Sequence, residues 1–186
     1  MEEQSTPSSV RSYNASDPAD FKAIYKETFK LLYTISWRVV NDEEAAEDLV
    51  HDSYIKANSK GMVFPSMDDA KFWLIRVVKN ASLNYAMRKT REGKAYHKAF
   101  YEDTRKIETG EQEVLKTEAR KKAVDALNKL PKKLREVLIL KEYGDLNYKE
   151  IGKILGITEG NVKVRVFRAR EKLENFIGDV DSVSFN

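Results

Sequence analysis

The chain has 186 residues, which suits one ordinary domain or two small ones. It has no Cys and only two His (His51, His97), so disulfides, thiolate chemistry and Cys- or His-rich metal centres are excluded. Lys+Arg total 33 against 30 Asp+Glu, a net charge of +3, and no apolar run approaches the ~18 residues of a membrane span. No metal, no cofactor and no membrane insertion are therefore expected. The polar first 20 residues lack a secretory pattern, which makes a cytoplasmic location the simplest expectation.

Residues 1–17, rich in Ser and net −2, read as a disordered extension. Beyond them the period is helical and strand signals are almost absent, so an all-α fold is expected. Phe21, Ile24, Tyr25, Thr28, Leu32, Ile35 and Val39 step by three and four along a first helix. Asn41 and Asp42 break it, and Asp42 can cap a second helix over about 43–58 with Ala46, Leu49, Val50, Tyr54 and Ala57 inward. The loop 61–66 precedes a third helix over about 68–89, with Leu74, Val77, Val78, Ala81 and Tyr85 expected in the core. Residues 91–112 read as a charged linker with some helix, and the stretch 88–106 carries net +4. Helices then follow over about 113–130, stopped by Pro131, and from Leu134 to near Gly144. The result is two small helical domains, 18–90 and 113–178, with a short acidic tail 179–186.

The last stretch has the marks of a helix-turn-helix. Asn147 can cap a short helix whose apolar face is Ile151, Ile154 and Leu155. Gly156 ends it, Ile157 plugs the angle and Thr158 can cap the next helix. There Val162, Val166, Ala169, Leu173 and Phe176 step inward, leaving Lys163, Val164, Arg165, Phe167, Arg168, Arg170 and Lys172 outward. Such a face suits the major groove, where Arg or Lys reaches guanine O6 and N7 and apolar groups meet thymine methyls. A solvated basic face is the plain alternative.

The third helix carries a second pattern: Trp73, Arg76, Asn80, Asn84 and Arg88 form a stripe beside the core positions. Asn reads base edges, Arg pairs with phosphate and Trp stacks on unpaired bases, although for an isolated helix core packing plus solvation is the favoured reading. Glu43, Glu47, Asp48, His51 and Asp52 give the second helix an acidic edge fit for a protein partner or for solvent. No nucleophile or phosphate-cradling loop accompanies these carboxylates, so no enzyme chemistry is expected.

Together these segments resemble one family. Ala46–Tyr54 and Phe72–Asn80 resemble region 2 of bacterial RNA polymerase sigma factors; Leu127–Pro131, Arg135–Leu138, Tyr148–Gly152 and Gly160–Leu173 resemble region 4. Their order, without a third domain between, is similar to the extracytoplasmic-function (ECF) group. The resemblance implies a promoter-specificity subunit that binds core RNA polymerase and directs initiation. It implies core-polymerase contacts at Glu47, Asp48, Leu49, His51, Asp52 and Tyr54, with His51 where the family usually has Gln. It implies minus-ten recognition, melting and capture of the non-template strand by Phe64 of the loop 61–66 with Trp73, Arg76, Asn80, Asn84 and Arg88. It implies minus-thirty-five duplex reading by Lys163, Val164, Phe167 and Arg168, with Arg165 and Arg170 on phosphate. Val164 stands where the family often has a small polar residue, so methyl contact and a shifted base preference are expected there. The resemblance also implies an anti-sigma factor as partner. A stand-alone helix-turn-helix regulator would need neither the acidic second helix nor the aromatic loop.

Overall fold

The computed structural model describes residues 11–99 and 126–182. In chain order they form β1 (Tyr13–Asn14), α1 (Pro18–Val40), α2 (Glu43–Ser59), β2 (Val63–Phe64), α3 (Met67–Ala99), a helical turn over 126–129, α4 (Lys132–Tyr143), α5 (Tyr148–Leu155) and α6 (Glu159–Ser182).

Local chemistry sets the boundaries. The Asp17 carboxylate accepts from the Ala19 and Asp20 amides and Pro18 opens α1, a position where its missing N–H costs nothing. Asn41, in the left-handed region, ends α1, and Asp42 caps α2 by accepting from the Ala45 amide. Pro131 stops the 126–129 turn and begins α4. The buried Arg135 guanidinium donates to the Asn128 and Leu130 carbonyls at 2.9 Å each, satisfying acceptors that the interrupted helix leaves open.

In the N-terminal unit α1, α2 and α3 enclose Ile24, Leu32, Ile35, Val50, Leu74, Ile75 and Val78. Two hydroxyl pairs tie these helices: Thr28 with Tyr54 at 2.6 Å and Ser36 with Ser82 at 2.9 Å. In the C-terminal unit α4, α5 and α6 enclose Val137, Ile139, Leu140, Ile151, Ile154, Val162 and Val166.

Two sequence expectations need correction. Residues 11–17 are ordered: Tyr13 and Asn14 pair antiparallel with Phe64 and Val63, and Ala15 is buried, while 1–10 lie outside the described residues. The inward face of α3 is rotated. Val77, Ala81 and Tyr85 are only half-buried, whereas Ile75, Lys79, Ser82, Leu83 and Ala86 are buried, because α3 packs against α1, α2 and the C-terminal unit together. The third helix, expected to end near residue 89, continues to Ala99 in the stretch read as a linker with some helix. The rest of that linker and most of the expected 113–130 helix lie outside the described residues, as do residues 183–186 of the tail.

Candidate nucleic-acid interface

In the helix-turn-helix, α5 opens on a reciprocal capping box. The Glu150 amide donates to Asn147 Oδ1 and the Asn147 amide to Glu150 Oε2, both at 2.9 Å. Gly156 ends α5 at φ 67°, and the Ile157 amide returns to the Gly152 carbonyl at 3.0 Å. A Cβ on Gly152 would lie 2.7 Å from the Ile157 carbonyl oxygen, so the turn closes only over glycine. Thr158 Oγ1 accepts from the Asn161 amide at 3.3 Å at the start of α6.

That geometry buries Val162, Val166 and Ala169 and turns the other side of α6 outward. Phe167 is 70% exposed and Val164 48%, a large apolar pair left uncovered among the described residues. Lys163, Arg168, Arg170 and Lys172 are exposed and Arg165 is half-buried. Lys163 leans back onto Glu159 at 2.9 Å and over the Tyr148 ring, and Arg170 pairs with Glu142 at 2.6 Å. Those carboxylates hold both cations more firmly protonated. Among the described residues Arg165, Arg168 and Lys172 have no ion-pair partner.

The α3 stripe divides. Asn80, Asn84 and Arg88 are exposed at four-residue steps, with Arg88 near Glu92 at 3.7 Å. Trp73 is half-buried against Phe64, ring centroids 5.8 Å apart. Phe64 itself is 3% exposed, so the expectation that its ring meets bases is corrected: it is a wedge beneath the loop, and Val63 is the exposed residue there. Arg76 is engaged elsewhere, its Nε donating to the Ile154 carbonyl at 2.7 Å and one Nη to the Lys153 carbonyl at 3.4 Å. It thus caps the negative end of α5, and Lys153 in turn sits over the Phe72 ring. Beside them Lys79, 2% exposed, meets Glu136 of α4 at 3.0 Å. The two units are docked face to face through α3.

On α2, Glu47, Asp48, His51 and Asp52 are exposed, Leu49 is half-buried and Ile55 is 62% exposed. Tyr54 is buried, and burial pushes its phenol up to about 12. Its expected place on a contact surface is therefore corrected to an internal anchor. His51 lies beside Tyr25 and Phe29, ring centroids 6.5 and 6.0 Å away. These belong to an aromatic ladder, Phe21, Tyr25, Phe29 and Tyr33, running along α1 at four-residue steps. Of these, Phe21 and Tyr25 belong to the first helix's amphipathic pattern in the sequence, while Phe29 and Tyr33 are not singled out by it. The Lys79–Glu136 pair joins residues 57 positions apart, and nothing local announced it.

Known proteins carry the same two units. Sigma-70 region 2 matches residues 24–92 and Sigma-70, region 4 matches 120–173. The ECF RNA polymerase sigma-E factor of Haemophilus influenzae is 32% identical over 138 residues, covering 70% of this chain and 73% of that one. The chain belongs to the ECF RNA polymerase sigma factors. The sigma factor SigM of Bacillus subtilis is 29% identical, covering 81% of this chain and 91% of its own. Among solved structures, the sigma factor RpoE in complex with the anti-sigma factor NepR from Bartonella quintana is 25% identical, with a TM-score of 0.51 over 86% of this chain and 97% of that one. CnrH, in complex with the cytosolic domain of CnrY, shares the fold at 20% identity, with a TM-score of 0.58 over 89% of this sigma factor and 93% of its own chain. The chain is thus a promoter-specificity subunit of all-α build. No helix among the described residues is long and apolar enough to cross a membrane.

Proposed function

We propose that this sigma factor reads promoters through two separate surfaces and holds them together while unengaged. The carrying observation is that one chain presents both an apolar-cationic face on α6 and an exposed Asn/Arg stripe on α3. Phe167 and Val164 suit thymine methyls of a minus-thirty-five duplex, Arg168 with Lys163 suits base edges, and Arg165 and Arg170 suit phosphate. Asn80, Asn84, Arg88 and Trp73 suit the edges, faces and phosphates of a melted minus-ten strand, with Arg76 joining them on release from α5.

Opening is required on distance alone. Elements centred about 25 base pairs apart at ~3.4 Å per step are separated by on the order of 85 Å. The α5 helix, next to α6 in the turn, touches α3 directly. The docked form therefore serves at most one element, and core polymerase supplies the second state by binding the open form better.

The acidic edge of α2, with Glu47, Asp48, Leu49, His51 and Asp52, is the proposed core-polymerase contact, with Tyr54 fixing it from below. An anti-sigma factor, the partner seen with the solved RpoE, would stabilise the docked form. Base unpairing costs a few kcal/mol per base, which stacking and phosphate contacts offset without a chemical step; no catalytic residue and no cofactor enter. A cytoplasmic site of action follows.

The test is co-elution with purified bacterial core polymerase on gel filtration. Charge reversal at Asp48 and Asp52 should abolish co-elution while circular dichroism stays unchanged. Unaltered co-elution would remove this face from the account.

A further inference from the structure

The segment preceding α1 does something that its composition does not suggest. The Ala15 amide donates to the Met62 carbonyl at 2.8 Å, extending the β1–β2 ladder to a third residue. Asn58 Nδ2 donates to the Ala15 carbonyl at 3.1 Å, and the Ser16 hydroxyl donates to the Asn58 carbonyl at the same distance. Ala15 is 1% exposed. The far end is anchored on Asp20, which accepts from the Asn14 amide at 2.9 Å and from Arg11 at 2.6 Å. The strap thus joins the end of α2, the loop 61–66 and the start of α1.

We propose that residues 11–17 are a positioning element for minus-ten recognition: they hold the loop 61–66 with Phe64 inward and Val63 outward, at the start of the α3 stripe. The proposal rests on the reading of that loop and stripe as the melted-strand surface, and extends it to residues before the region 2 match, which begins at 24. The chemistry supports it. A short loop carrying Gly61 at φ 58° has many conformations, and each backbone hydrogen bond to β1 removes some of them. Phe64 both pairs with Tyr13 in the ladder and lies against Trp73, so the strap reaches Trp73 through that one residue. A preformed loop spares the ordering cost of strand capture.

The experiment uses the full chain bound to core polymerase and a promoter selected by that complex from a randomised pool. Three affinities are measured: for core polymerase, for a duplex minus-thirty-five fragment, and for a forked fragment with an unpaired minus-ten strand. The variants are Ala15→Arg, whose side chain cannot fit in the space where Ala15 is buried, deletion of residues 1–16, and Ala15→Ser as the conservative control. The expected result is a fork affinity about tenfold weaker for Ala15→Arg and for the deletion, with core and duplex affinities within twofold and Ala15→Ser unchanged. Faster amide exchange at Met62–Phe64 should accompany the loss. Three equal losses would make the strap a mere stabiliser of the fold, and three unchanged affinities would make it idle; either overturns the proposal. If the unaltered protein shows no preference for the fork over the same sequence fully paired, the loop assignment itself falls, and the strap's role with it.

Discussion

Lys79 of α3 and Glu136 of α4 meet at 3.0 Å, with the Lys79 side chain 2% exposed. A buried ammonium keeps its charge only with a partner, and burial already pulls Lys79 below the ordinary lysine range against the pull of Glu136. Removing one partner of such a pair costs about 3–5 kcal/mol, whereas replacing both with apolar groups is often neutral. Glu136→Gln should therefore undock the units, read as a larger radius of gyration in X-ray scattering. The double variant Lys79→Met/Glu136→Met should stay compact. A compact single variant would show that the pair does not hold the seam.

Tyr54 gives a pH signature. Burial raises its phenol from 10 to about 12, so the folded chain keeps a proton that the unfolded chain has lost. The sign follows: this stability is fully present below pH 10 and is lost as pH rises toward 12. Two pH units correspond to on the order of 3 kcal/mol. Thermal melting between pH 9 and 11.5 should fall more steeply for the native protein than for Tyr54→Phe. Parallel curves would mean that the phenol ionises as freely folded as unfolded.

Gly152 is the tightest point of the helix-turn-helix. A methyl there meets the Ile157 carbonyl oxygen at 2.7 Å, and backbone must move to admit it. Gly152→Ala should destabilise the C-terminal unit by roughly 1–3 kcal/mol, as overpacking does, and weaken duplex minus-thirty-five binding. Fork binding through α3 should persist. Full duplex binding by Gly152→Ala would contradict the turn's role in aiming α6.

The exposed α6 face separates reading from anchoring. Arg168→Ala should cost roughly 1–3 kcal/mol and relax base preference at one position, while Lys172→Ala should weaken all sequences alike and flatten the salt dependence. At Val164 and Phe167, replacing thymine by uracil in the minus-thirty-five element should weaken the native protein but not Val164→Ala/Phe167→Ala. Equal losses in both proteins would remove the methyl contacts.

Local signals were the legible ones. The Asn147 cap, the Gly156 turn and the alternation of Val162, Val166 and Ala169 depend on neighbours within four residues, and all are as the sequence implies. Of the expected α3 core face Leu74 and Val78 are buried but Val77, Ala81 and Tyr85 are only half-buried, because the packing of α3 answers to α1, α2 and α5 at once. Phe64 and Tyr54 were placed on surfaces by resemblance, yet both are buried, since an aromatic residue in a motif can support a contact face from beneath. The strap escaped notice because a two-residue strand has no period, and its partner Met62–Phe64 lies some fifty residues away.

The most direct measurement is run-off transcription by bacterial core polymerase over a library of randomised promoters, with and without this protein. New start sites should share two spaced upstream motifs. Asn80→Ala should erase selection at the nearer motif and Arg168→Ala at the farther one, each with core binding intact. No core binding and no new starts, together with tight binding to a symmetric duplex site, would contradict the account and leave a stand-alone helix-turn-helix regulator.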